Sequence, residues 1–105
     1  MTGTFKSWIT AAAVLALEGD YLHYTVITHR VMKSGMTELG KEGVTPAQTI
    51  GAEMRRKHDV FESLGGGDYR LRGDFSPEED TWVLMAIMRL EQLNGRAQEA
   101  AGGGA

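Results

Sequence analysis

Polar and basic side chains between Thr45 and Arg72 are the part of this sequence whose residue types and spacing suit a chemical task. Gln and Thr can contact the edges of adenine and thymine, whereas Arg and Lys can contact phosphates. The residues that we expect to face DNA are Thr45, Gln48, Thr49, Ala52, Arg55, Arg56, Lys57, Arg70 and Arg72. The pattern predicts contact with a nucleic acid rather than a reaction.

Each of these groups also has a purely structural explanation. The cations from Arg55 to Lys57 suit the negative end of a helix dipole without any ligand. Gln48 lies three residues after Thr45 and can close a capping box there, a role that competes with contact to a base. Arg70 and Arg72 flank a predicted turn and can be ordinary exposed strand ends.

No set of side chains in the sequence is typical of catalysis or of a metal site. His23, His29 and His58 are the three histidines; none lies in an HxxxH or HExxH pattern, and the chain has no Cys. The acidic run Glu78-Glu79-Asp80 suits the positive end of a helix. Gly65-Gly66-Gly67 is not followed by the Lys and Ser or Thr of a phosphate-binding loop. We therefore expect a non-enzyme with no catalytic residue, metal, cofactor or small-molecule substrate.

The elements that must position the DNA-facing side chains begin with two helices. Apolar residues at helical spacing predict a first helix from Thr4 to Glu18 and a second of about Thr25 to Lys33. Tyr21-Leu22-His23 between them reads as a short extended piece, which in winged helices pairs with the wing. The linker from Met36 to Val44 is longer than the turn of a simple helix-turn-helix.

A third helix and a β-hairpin follow the linker. The helix begins at Thr45, with proline at its first position, and has Ile50 and Met54 on its core side. The predicted hairpin strands contain Val60, Phe61 and Leu64 on one side, and Tyr69 and Leu71 on the other. The turn Gly65-Gly66-Gly67-Asp68 joins them. The predicted fold is therefore α+β: a winged helix-turn-helix of three helices plus a β-hairpin wing, with an extra C-terminal helix.

The C-terminal helix, about Pro77 to Gln98, is more apolar than one small domain needs. From Trp82 to Met88 it is apolar nearly all the way round, whereas a surface helix has one apolar stripe. We predict a homodimer or a partner helix here; the alternative is full burial on its own domain. The expected interface residues are Trp82, Val83, Met85, Ala86, Ile87, Leu90 and Leu93. The predicted division is 1–73 for the winged helix, 74–99 for this helix and 100–105 for a disordered tail.

Composition and charge fit an ordinary globular chain. It has 105 residues, of which 42% are hydrophobic and 24% charged, and its net charge is −3. Between Arg55 and Arg72, five Lys and Arg stand against three Asp and Glu. DNA binding is therefore expected to be local, salt-sensitive and weak for a lone monomer. The lack of cysteine, of a signal peptide and of a membrane-spanning run predicts a cytoplasmic protein with no membrane partner, nucleoid-associated if bacterial or viral.

The span from about Phe5 to Arg72 resembles the HARE-HTH family of winged helices. The residues that carry the resemblance are Trp8, Leu22-His23-Tyr24, Ile27-Thr28-His29-Arg30-Val31, Lys33-Ser34-Gly35, Thr45-Pro46-Ala47-Gln48-Thr49-Ile50, Met54, Val60-Phe61 and Tyr69-Arg70-Leu71. The family occurs in bacterial RNA polymerase delta subunits, fused to some restriction endonucleases, and in chromatin proteins of the additional-sex-combs type. The resemblance implies double-stranded DNA as partner, with a suggested role in sensing modified bases or bridging chromatin factors. The acidic total charge and the C-terminal helix depart from the family pattern.

These observations predict a small sequence- or structure-selective DNA-binding protein, a transcriptional regulator or accessory factor that works as a dimer or within a complex. The alternative is a protein-interaction module that docks on a polymerase, nuclease or repressor without touching DNA. Electrostatics separates the two. One continuous positive face of Arg55, Arg56, Arg70 and Arg72 favours DNA, and its interruption by Glu53, Glu62 and Asp68 favours the alternative.

Overall fold

The order of helices and strands is that of a winged helix with one added helix. A computed structural model describes residues 5–37 and 45–102, so most of the predicted linker lies outside the described residues. The described elements are α1 (Ser7–Glu18), β1 (Leu22–His23), α2 (Tyr24–Ser34), α3 (Pro46–Arg56), β2 (Phe61–Gly65), β3 (Asp68–Leu71) and α4 (Pro77–Gly102). The predicted fold class is therefore confirmed.

The wing is a three-stranded antiparallel sheet with the strand order β1-β3-β2. Leu22 pairs with Tyr69 and Phe61 pairs with Leu71, so the short strand before α2 adds to the wing hairpin as predicted. An irregularity between Ser63 and Gly65 breaks the register next to the turn. The sheet ties the wing to the start of α2, because β1 ends where that helix begins.

Helix α1 lies at the centre of the core. Its three consecutive alanines, Ala11, Ala12 and Ala13, have no solvent exposure, so the helix is covered on more than one side. It packs against α2, α3, α4 and β3. Small side chains allow several elements to approach one helix closely, and the large buried residues Leu15, Ile50 and Phe61 fill the space around it.

Helix α4 uses part of its apolar surface to close this core. Val83, Ala86 and Leu90 recur at helical spacing and are buried, while Ile87 and Leu93 are partly buried against the same cluster. This burial removes Val83, Ala86 and Leu90 from the predicted interface, because side chains packed inside their own domain cannot meet another chain. The all-round apolar run thus has two sides: one faces α1, and the other faces solvent.

Two predicted helix boundaries were wrong. Helix α1 begins at Ser7 rather than Thr4, because the backbone N–H of Phe5 donates to the carbonyl of Met36 at 2.8 Å and holds the entering chain beside the end of α2. Helix α4 continues past Gln98 to Gly102, over the first part of the predicted tail. Ala and Glu favour helix, and extending an existing helix is easier than starting one. Residues 103–105 lie outside the described part.

The described helices were also compared with the requirements for crossing a bilayer. None of those within residues 5–37 and 45–102 has the length and apolar character that a crossing needs.

Candidate nucleic-acid interface

Helix α3 begins with the cap predicted from the sequence. Thr45 is the N-cap residue, and its side-chain oxygen accepts a hydrogen bond from the backbone N–H of Gln48 at 3.3 Å, with Pro46 in the first turn. Within the described residues no bond returns from the Gln48 side chain to Thr45. The predicted capping box is therefore half formed, and the exposed Gln48 amide remains open to a ligand.

One side of α3 faces solvent along its whole length. Gln48, Ala52 and Arg55 are exposed and follow each other at helical spacing, whereas Ile50 and Met54 are buried on the other side. Thr49 lies beside this exposed row and is half-buried; its hydroxyl donates to the Thr45 carbonyl at 3.4 Å. We call Gln48, Ala52 and Arg55 the outer row of α3.

A groove of about 370 Å³ separates this row from the wing. Gln48, Gly51 and Arg55 line it from α3, and Gly67 and Tyr69 line it from the wing, with Tyr24 and Ala47 completing its wall. The recognition residues predicted on the helix and the predicted wing turn therefore lie beside each other. A ligand that covers the outer row also meets the wing turn.

The four arginines predicted to contact DNA fall into two kinds. Arg56 forms an ion pair with Glu53 one turn earlier, and Arg70 on β3 pairs with Glu62 on β2, with Nε 2.6 Å from the carboxylate oxygen. Arg55 and Arg72 are exposed and form no ion pair among the described residues. The positive face is thus interrupted at two of its four positions, as the alternative interpretation required.

Hydrogen bonding across the wing changes the titration of its acidic residue. The bond from Arg70 holds the pKa of the Glu62 carboxyl below its ordinary value, and the charges of Arg70 and Arg72 act in the same direction. Glu62 is thus kept charged, and it offsets the positive charge of Arg70 wherever the wing meets a polyanion. Asp68, the third predicted interrupting residue, lies opposite His23 in the sheet.

Lys57 has a different environment from its neighbours in sequence. It follows the last residue of α3, and its ammonium lies 3.4 Å from the Glu79 carboxylate and 4.0 Å above the ring of Trp8. The ammonium therefore bridges α1 and α4 at the end of α3. We conclude that Lys57 has a structural task, which separates it from the predicted DNA-facing set.

Glu79 also caps α4, as the sequence predicted. Its carboxylate accepts from the backbone N–H of Ser76 at 2.9 Å, and its own N–H donates to the Ser76 hydroxyl at 3.2 Å. The backbone hydrogen bond from Ser76, together with Lys57, lowers the pKa of the Glu79 carboxyl. The capping box and the Lys57 ion pair therefore share one carboxylate.

Two residues that the sequence did not assign to the interface join it at the wing. His23 is the N-cap residue of α2; its Nδ1 accepts from the backbone N–H of Thr25 at 3.3 Å, and its Nε2 lies 3.1 Å from the carbonyl oxygen of Gly66. Tyr24 donates its backbone N–H to the carbonyl of Gly67 at 2.9 Å. The sequence signal was a histidine directly before a helix start, where Ser, Thr, Asp or Asn is usual.

Metal binding was tested on the same part of the chain. Across residues 5–37 and 45–102, no three His, Asp or Glu side chains come together in a way that could hold a metal ion.

Comparisons with known proteins agree with the geometry of the first three helices and the wing. The model of the HARE-HTH family, described as a helix-turn-helix domain of ASXL and restriction endonuclease proteins, matches residues 4–73, two thirds of the chain. No curated protein and no solved structure matches significantly. The family match ends before α4, so the helix that closes the core lies outside it.

Proposed function

Since the chain belongs to the HARE-HTH family of helix-turn-helix domains, we propose that it binds double-stranded DNA through α3 and the wing. In this proposal it is a transcriptional regulator or an accessory factor, and it selects a DNA sequence or shape rather than binding every duplex alike. The observation that carries the proposal is the outer row of α3, which is exposed and lies beside the wing turn.

The dimensions and side chains of α3 support this placement. Its 11 residues span about 16 Å, and the major groove is about 12 Å wide, so the exposed side of the helix can enter it. Ala52 at the middle of the outer row is small and allows close approach to base edges. Gln48 offers an amide that can pair with adenine, and Arg55 offers a guanidinium for a guanine or a phosphate.

The ion pairs of Arg56 and Arg70 predict that a single domain binds weakly. A phosphate near either arginine must compete with Glu53 or Glu62, and the chain carries a net charge of −3. Arg55 and Arg72 supply the attraction that is left, and their contribution falls as salt rises. We infer that useful affinity requires more than one domain on the same DNA.

Helix α4 offers a surface through which two copies can assemble. Leu84, Met85 and Met88 are between 52% and 61% exposed, and Trp82 is 37% exposed at one edge of the same surface. This exposed apolar surface of α4 is the side that α1 does not cover. We propose that a second copy or a partner helix covers it, which presents two DNA-binding faces together and raises affinity through effective concentration.

A second function rests on a specific observation, the alternation of charges on the wing and on α3. Glu53 beside Arg56 and Glu62 beside Arg70 form a mixed surface, which is more typical of contact with a protein than with a polyanion. In that case the same face docks on a polymerase, nuclease or repressor, and DNA contact is absent.

One binding experiment separates the two functions. Fluorescence anisotropy with a pool of mixed-sequence duplexes, over a range of salt concentrations, should show binding that weakens as salt rises. The Arg55→Gln variant should weaken it and flatten the salt dependence. Arg89→Gln is the matched control, because Arg89 is an exposed arginine on α4, away from α3 and the wing. Wild-type protein without salt-dependent binding to any duplex would favour the protein-interaction function.

A further inference from the structure

We propose that His23 is a positioning residue that holds the wing turn against the start of α2 and so fixes the spacing between the wing and α3. Its imidazole contacts both parts, Thr25 at the start of α2 and Gly66 in the wing turn. The consequence for DNA binding rests on the proposed function; the consequence for the wing does not.

The hydrogen bonds of His23 assign its tautomer. The backbone N–H of Thr25 lies 3.3 Å from Nδ1, and because an amide N–H can only donate, Nδ1 must carry a lone pair. The hydrogen of the neutral ring is therefore on Nε2, which donates to the Gly66 carbonyl oxygen at 3.1 Å. The Thr25 hydroxyl, 2.7 Å from Nδ1, can donate to the same lone pair. One ring thus caps α2 with one nitrogen and holds the wing turn with the other.

The glycine after Gly66 fits this contact closely. A Cβ atom on Gly67 would lie 2.5 Å from His23 Nε2 and 3.0 Å from a ring carbon of Tyr24. Both distances leave no room for a side chain, apart from the positive φ of 90° at Gly67. Gly65 has almost the same φ, 92°, but its Cβ would meet nothing within 4 Å. Gly67 is therefore constrained by the approach of His23, whereas Gly65 is constrained by its backbone alone.

The contact reaches the interface through Tyr24 and Gly67. The Tyr24 ring lies beside the imidazole with their centroids 4.7 Å apart, and its backbone N–H donates to the Gly67 carbonyl at 2.9 Å. Both residues line the groove that faces Gln48 and Arg55. Movement of the wing turn away from His23 would widen this groove, so His23 sets where the wing stands relative to the outer row of α3.

Substitution of His23 can separate its two tasks. His23→Asn keeps a good N-cap acceptor for Thr25, but the shorter side chain cannot reach Gly66; His23→Ala loses both contacts. In the full chain, His23→Asn should keep the unfolding midpoint near that of wild type. It should also speed hydrogen exchange of the Tyr24 amide, which bonds to the wing, by about fivefold. Unchanged Tyr24 exchange in a folded His23→Asn variant would overturn the proposal.

A matched pair of glycine substitutions tests the proposal independently. Gly67→Ala and Gly65→Ala meet similar backbone strain, but only the first collides with His23. Gly67→Ala should speed Tyr24 amide exchange more than Gly65→Ala does, and the difference should shrink when His23→Ala is added. Equal effects of the two alanines, with or without His23, would contradict it.

Two further measurements keep this inference distinct from DNA binding. Nitrogen NMR of the imidazole should place the hydrogen on Nε2; a hydrogen on Nδ1 in the neutral ring would overturn the assignment. If the wild type binds duplexes, His23→Asn should weaken binding several-fold on all sequences, because the wing positions rather than reads. Loss of DNA binding in every form of the protein would remove the proposed function, while the exchange and NMR results still decide the role of His23.

Discussion

The ammonium of Lys57 lies 4.0 Å above the ring of Trp8, at the junction of α1, α3 and α4. The same group reaches Glu79, so it links the end of α3 to α4. We predict that Lys57→Ala lowers the free energy of unfolding by about 1 kcal/mol and changes DNA affinity less than Arg55→Gln does. Denaturant titration and anisotropy measure the two effects. Arg56→Ala, one residue away and more exposed, is the control for stability.

The shared carboxylate of Glu79 predicts a dependence of stability on acid. Because its pKa is lowered in the folded state, its contribution is complete above the ordinary carboxyl pKa of 4.5 and is lost as pH falls through the lowered value. Glu79→Gln should therefore flatten the fall in the unfolding midpoint below pH 4.5. Glu78→Gln, an exposed neighbour in the same helix turn, is the control. Equal acid sensitivity of wild type and Glu79→Gln would contradict this account.

The ion pair between Glu62 and Arg70 predicts that removing an acid strengthens DNA binding. In Glu62→Gln the guanidinium of Arg70 no longer shares its charge with a carboxylate, so it becomes available to a phosphate. Affinity should rise several-fold at low salt, and the salt dependence should steepen by roughly one phosphate contact. Glu91→Gln on α4 makes the same charge change elsewhere. If Glu62→Gln behaves like this control, Arg70 does not face DNA.

Gln48 and Thr49 predict where any sequence preference arises. Gln48→Ala should cost about 1–3 kcal/mol on a preferred site and little on mixed duplexes, because its amide is exposed and open to an adenine. Thr49→Ala should have the smaller effect, since the Thr49 hydroxyl already donates to Thr45. Competition binding with a preferred and a scrambled duplex measures both. Equal losses on the two duplexes would mean that this turn positions the protein and does not read bases.

The exposed apolar surface of α4 predicts self-association. Light scattering at micromolar concentration should report about twice the monomer mass if two copies cover Leu84, Met85 and Met88. Met88→Glu should halve that mass, because it buries a charge in the interface. Met32→Glu is the matched control, since Met32 on α2 is 51% exposed and Met88 is 61% exposed. A monomeric wild type would leave a foreign partner, or none, for this surface.

The sequence by itself determined the elements that depend on neighbouring residues. Thr45 with Pro46, Ser76 with Glu79, and the glycine turn of the wing each act within a few residues of the chain. Hydrogen bonds of this range are encoded by residue type and spacing alone, so the caps and the turn were predicted at the residues where they occur. The family was predicted from the same local motifs, and the match to residues 4–73 confirmed it.

Only the tertiary structure decided which side chains of these elements remain available. Lys57 was grouped with Arg55 and Arg56 because all three are adjacent cations, yet its partners Trp8 and Glu79 come from α1 and α4. The apolar run of α4 likewise showed excess hydrophobicity but not which side α1 covers. Both outcomes depend on how helices that are distant in sequence pack, since burial and ion pairing are set by three-dimensional neighbours.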